Sequence, residues 1–187
     1  MPLTPTQAKD NIDNIVCETL SILDVIRVGK YEEDKQYLKE LTKKAVRLAH
    51  SDISDADAIR ELGEGWIAEE TWVIALYCAI CHIDSVEDAI IASVNHDGDS
   101  DSTGSVCGNI MGAIYGYEHI KERNIFCPEG KQLEETLELS EIILALADDL
   151  ASGCMLTTSQ CMPQHTPEGK QWFERYVMMK PAGIGAK

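Results

Sequence analysis

The chain has 187 residues, enough for one sizeable domain, and its 44% hydrophobic and 26% charged content is that of a folded globule rather than a disordered chain. Sixteen Lys and Arg against 32 Asp and Glu leave a formal charge of -16. With no local basic patch, that balance excludes general nucleic-acid binding and attraction to anionic membranes, while it suits divalent cations.

Met1-Pro2-Leu3-Thr4 carries neither a basic start nor an apolar run, so no signal peptide is expected. From Lys9 to Val28, Ile12, Ile15, Val16, Thr19, Leu20, Leu23 and Ile26 recur at three- and four-residue steps, which predicts an amphipathic helix ended at Gly29. Leu38, Leu41, Ala45 and Leu48 predict a second helix over Glu32–His50. The acidic turn Asp52–Asp57 offers N-caps to a short helix over Ala56–Leu62, and Gly63 and Gly65 then break the chain. Trp66 to Ile83 is apolar nearly all round, the pattern of a buried helix, and its most apolar stretch, Trp72 to Ile83, is too short to span a bilayer. Trp66, Trp72 and Tyr77 are read as core.

Asp84-Ser85-Val86-Glu87 caps a helix running to about Val94. After the loop Asn95–Ser102, an apolar helix is expected over Thr103–Tyr117. Along it Gly104, Gly108, Gly112 and Gly116 fall on one stripe, each costing about 1 kcal/mol relative to alanine. Close approach by a neighbouring helix would offset that cost, so this helix is expected to be the most buried. Leu133–Leu150 predicts a further amphipathic helix, and Trp172–Met179 one more within an irregular tail over 152–187. No segment alternates with period two. The expectation is one all-α domain over residues 1–187, a compact multi-helix globule.

Seven cysteines, an odd number set mostly in apolar periodic segments, read as reduced core thiols of a cytoplasmic protein. Cys78-Ala79-Ile80-Cys81-His82 matches a haem-attachment pattern but sits inside an apolar helix, which favours buried thiols. Cys154, Cys161 and His165 lack a standard zinc spacing.

The chemistry concentrates in Asn95-His96-Asp97-Gly98-Asp99-Ser100-Asp101-Ser102-Thr103-Gly104. Three carboxylates at alternate positions with hydroxyls between them are hard oxygen donors suited to Mg2+, Mn2+ or Ca2+. An EF-hand is excluded, because neither register of the loop supplies both its glycine and its terminal glutamate. Two readings of the loop stay open. It is a solvated turn with Ser102 or Thr103 as N-cap, or it is a site where a cation relieves the repulsion among the aspartates.

Gly98-Asp99-Ser100-Asp101-Ser102-Thr103-Gly104, preceded by His96, resembles the C-terminal metal motif of the ADP-ribosylglycohydrolases. The run Leu62-Gly63-Glu64-Gly65-Trp66-Ile67-Ala68-Glu69-Glu70 resembles that family's Gly-Trp-x-Ala-Glu-Glu block, in the right order and at a fitting distance. The resemblance covers about Asp10 to Leu150. It implies an all-α globule with two divalent ions, Mg2+ or Mn2+, that hydrolyses the bond between ADP-ribose and a protein side chain, often arginine. Asp99 and Asp101 match the ligating, catalytic aspartates, and Ser102 the ligating hydroxyl residue. His96, Asp97 and Gly98 match the substrate-binding stretch, Gly98 being the glycine that lets the backbone approach the ribose. Asp97 stands where the family usually has glycine.

The family's Thr-Asp-Asp-Thr motif is absent, so the chain resembles the C-terminal portion of such a domain without its N-terminal helices. A separate N-terminal half, or another copy of the chain, would supply the remaining ligands. ADP-ribose or an ADP-ribosylated protein is the implied partner. The alternatives are an inactive relative that binds metal or ADP-ribose, and a helical interaction protein whose acidic loop is only a turn.

Overall fold

The computed structural model describes residues 5–26, 29–123, 127, 131 and 133–151. They form helices α1 (Pro5–Val25), α2 (Glu32–Ala49), α3 (Asp55–Leu62), α4 (Ala68–Cys81), α5 (Val86–Val94), α6 (Ser100–Tyr115), α7 (Tyr117–Arg123), α8 (Leu133–Thr136) and α9 (Ser140–Ala151), with a 3-10 turn at Gly29–Tyr31. No strand occurs among the described residues, as the lack of period-two alternation requires. Two compact units divide the chain, Met1–Ile125 and Phe126–Lys187.

In the first unit α4 is the central helix, flanked by α2, α3, α5 and α6. Its sequence is apolar all round, and nine of its 14 residues are buried, Thr71 and every residue from Val73 to Ile80. This corrects the expectation that the glycine helix is the most deeply buried. On α6 only Thr103, Cys107 and Met111 are buried, one narrow stripe at four-residue spacing. The glycine ladder accounts for close packing at one end alone. A Cβ on Gly104 would meet Val94 Cγ1 at 2.5 Å, one on Gly108 would make an ordinary 3.7 Å contact with Ile90, and one on Gly112 would meet nothing within 4 Å. Gly116 is not in the helix; it caps α6 at φ +79°, a backbone conformation glycine adopts without penalty.

The amphipathic helices pack as their periodicity predicts. Ile12, Val16 and Leu20 of α1 are buried against Leu76, Ile80 and Ile83, whereas Ile15 and Ile26 stay at the surface. On α2, Ala45 is fully buried, with Leu41 and Leu48 packed beside it. Two of the starts carry serine N-caps. Ser54 Oγ accepts from the Asp57 N–H and donates to the Asp57 carboxylate, and Ser85 Oγ accepts from the Asp88 N–H.

Three thiols depart from the core reading. Cys78 and Cys107 are buried, but Cys17 and Cys81 are exposed and Cys127 is half-buried; all five are free. His82, the last residue of the haem-like pattern, pairs instead with Asp55 at 2.9 Å, and Asp55 also accepts from the Tyr77 hydroxyl at 2.8 Å. These bonds tie the start of α3 to the end of α4.

In the second unit the single helix expected over 133–150 is two. Leu139 has φ +60° and breaks the run, and its carbonyl accepts the N–H groups of Ile142 and Ile143 as α9 begins. Trp172–Met179 and the 152–187 tail lie outside the described residues. No described helix is long and apolar enough to cross a membrane.

Candidate functional site

The site is built where two loops meet in the first unit. One, Gly63–Ile67, joins α3 to α4; the other, Asn95–Asp99, joins α5 to α6. The Asp99 N–H donates to the Glu64 carbonyl at 2.8 Å. Gly98 packs so tightly on the Glu64 backbone that a Cβ there would overlap the carbonyl group. The glycine is thus required by an approach within the chain. Gly65, at φ +81°, lies against Thr103 and Asp99.

Each loop is also fastened from behind. On α4, Glu70 Oε2 accepts from the Glu64 and Gly65 N–H groups at 3.1 and 3.0 Å, and the Thr71 hydroxyl donates to the Gly65 carbonyl at 2.7 Å. On α6, the fully buried Thr103 donates to the Ser93 carbonyl at 2.6 Å. Its Oγ1 lies 2.9 Å from His96 Nε2, while His96 Nδ1 accepts from the Gly98 N–H at 3.1 Å. Because Nδ1 is an acceptor, Nε2 carries the proton and donates to Thr103, so both ring nitrogens are occupied within the protein.

Asp99 is the N-cap of α6, a role expected of Ser102 or Thr103. Its carboxylate accepts from the Ser102 N–H at 3.4 Å. The side-chain interaction with Asp101 and then hydrogen bonding by Ser102 hold the Asp99 carboxyl below the usual carboxylate range, with burial opposing them and His96 adding to them. Asp99, Asp101 and Ser102 share the wall of one hollow of about 690 Å3, whose other walls include Trp66, Trp72 and Val106. Trp66, read as core, is 67% exposed, since the loop places it before α4 rather than within it.

His96, Asp97 and Gly98 line a second hollow of about 350 Å3, with Arg60, Glu64 and Asn95. The six candidate residues therefore divide between two hollows. The backbone clasp between Glu64 and Gly98–Asp99 contributes to both, with Asp99 lining the first and Glu64 and Gly98 the second.

As a cation site the first hollow offers two carboxylates and one hydroxyl, all hard donors, at the N-cap and in the first turn of α6. Hard oxygen donors are the type that Mg2+ and Mn2+ take. Among the described residues, no three His, Cys, Asp or Glu side chains gather in a group that could hold a metal alone.

The described secondary structure is all helical, with an Asp-Ser-Asp-Ser turn at the head of α6 clasped to the Gly-Glu-Gly-Trp loop. The sequence profile of the ADP-ribosylglycohydrolases matches residues 6–159, and the chain belongs to that family. It is similar to ADP-ribosylhydrolase ARH3 of Mus musculus, 27% identical over 126 residues, and to those of Bos taurus and Homo sapiens, each 25% identical over the same length. Those matches take in 62% of this chain and 34% of each relative, so the matched region spans about a third of the relatives' length. No solved structure gives a significant match.

Proposed function

We propose that this chain supplies a divalent-cation half-site, for Mg2+ or Mn2+, to the hydrolysis of the bond between ADP-ribose and a protein side chain. The observation that carries the reading is the placement of Asp99, Asp101 and Ser102 on one helical turn, along one wall of a 690 Å3 hollow, in a loop clamped from behind.

Bound ions of this kind lower the pKa of a coordinated water and neutralise charge on coordinated oxygens. Asp99 and Asp101 would hold them, and the Ser102 hydroxyl would add a neutral donor. Cleavage of a ribosyl bond passes through an oxocarbenium-like state, and carboxylates beside the sugar favour its positive charge. The N-terminus of α6 directs the positive end of its dipole into the same region, which suits the pyrophosphate of ADP-ribose.

The finer reading, from the resemblance, is an arginine-type N-glycosidic linkage. A segment bearing the Thr-Asp-Asp-Thr ligands that the resemblance implies completes the coordination, so turnover by these 187 residues alone is negligible. Free thiols suit a reducing, cytoplasmic setting.

The test is ADP-ribose release from arginine-linked and from O-glycosidically linked protein substrates, with Mg2+ or Mn2+. The chain is assayed alone and with the N-terminal region of a family member bearing Thr-Asp-Asp-Thr. Release is expected only in the combined sample. Robust release by the chain alone would contradict the half-site. Binding of ADP-ribose without release in either sample would favour a non-catalytic relative.

A further inference from the structure

We infer that Glu70 is a positioning residue for the Asp99 loop, acting through the backbone of residues 64 and 65 without touching any proposed ligand. The inference rests on the half-site reading only for what the loop is positioned to do. Glu70 lies in the first turn of α4, the most deeply buried helix, so its own backbone is fixed by the core. One of its carboxylate oxygens accepts two consecutive N–H groups, those of Glu64 and Gly65. Gly63, at φ +131°, leaves the space this side chain occupies, since a Cβ there would collide with the Glu70 carboxyl.

Holding both N–H groups at one oxygen restricts the rotation of the intervening peptide. The next contact along is the Glu64 carbonyl, which receives the Asp99 N–H at 2.8 Å. Gly98 packs on the same Glu64 backbone, so a shift there has no slack to absorb it. The relay therefore runs from α4 through Glu70, the peptides of 64 and 65, and Asp99 to the start of α6. Glu70 is not among the residues lining the hollow that Asp99, Asp101 and Ser102 share, which separates it from a direct role on a ligand.

The experiment compares wild type, Glu70→Ala and Glu70→Gln in the 187-residue chain, reading Asp99 amide exchange by NMR and Mn2+ affinity by calorimetry. Glutamine keeps an oxygen that accepts both N–H groups but removes the charge. In Glu70→Ala the Asp99 amide should exchange on the order of tenfold faster, the loss of about one hydrogen bond to a charged group, while the α4 amides from Val73 to Ile80 stay protected. In Glu70→Gln it should stay within about threefold of wild type. The Mn2+ affinities should follow the same order.

Unchanged Asp99 exchange in Glu70→Ala would overturn the inference, as would a glutamine variant as damaged as the alanine one, because charge rather than geometry would then be acting. If wild type takes up no Mn2+, the half-site reading fails, and Asp99 exchange alone still decides the role of Glu70.

Discussion

Gly98 and Glu64, 34 positions apart in sequence, are packed backbone to backbone, with no room for a Cβ between them. This contact, with the adjoining Asp99 N–H bond to the same carbonyl, converts two unrelated loops into one rigid wall. Gly98→Ala must displace one loop, and overpacking of this kind costs about 1–3 kcal/mol. Thermal unfolding should show the loss, and Mn2+ uptake should weaken with it. An alanine variant as stable as wild type would mean that the loops part easily.

His96 is a strut rather than a free contact residue, because its two nitrogens are committed to Thr103 and Gly98. His96→Leu leaves a fully buried threonine and a backbone N–H short of a partner. The expected destabilisation is about 1–3 kcal/mol, read as a fall in Tm of roughly 2–12 °C. Unchanged stability with weakened ADP-ribose binding would instead place His96 on the substrate.

Burial raises the Cys107 thiol from its ordinary 9.0 to about 11, and raises Cys78 as well. Alkylation needs the thiolate, so at pH 8 these two thiols should stay unmodified while exposed Cys17 reacts, as peptide mapping would show. The sign for stability follows. Between pH 9.0 and about 11 the unfolded chain releases the Cys107 proton and the folded chain keeps it. Stability should therefore fall through that window, by up to about 1.4 kcal/mol per pH unit for this group. A flat profile from pH 9 to 11 would contradict the burial.

The helices were legible in the sequence because three- and four-residue spacing is a local signal. Ile12, Val16 and Leu20 sit on the buried face that their spacing predicts. The ranking of burial was not. The glycines of α6 drew attention to that helix, although the run Val73–Ile80 on α4, with no polar stripe, marks the centre. The motif Asp99-Ser100-Asp101-Ser102 was readable as a donor set, since ligand chemistry is carried by residue type. Its support was not readable. Glu70 faces the glycine loop through geometry set by positive φ at Gly63 and Gly65, and no periodicity announces that. The exposure of Trp66 is likewise set by the loop, as the helix starts two residues later than its apolar pattern does.

The proposed half-site stands or falls on Asp99, Asp101 and Ser102. The most direct measurement is Mn2+ calorimetry on wild type and on the Asp99→Asn/Asp101→Asn variant, with circular dichroism to confirm equal helix content. The wild type should bind Mn2+ weakly and the double variant should lose that binding, because replacing both carboxylates removes the charged donors while relieving their mutual repulsion in the metal-free fold. Equal Mn2+ affinity in the two proteins would contradict the half-site and reduce the loop to a capped turn.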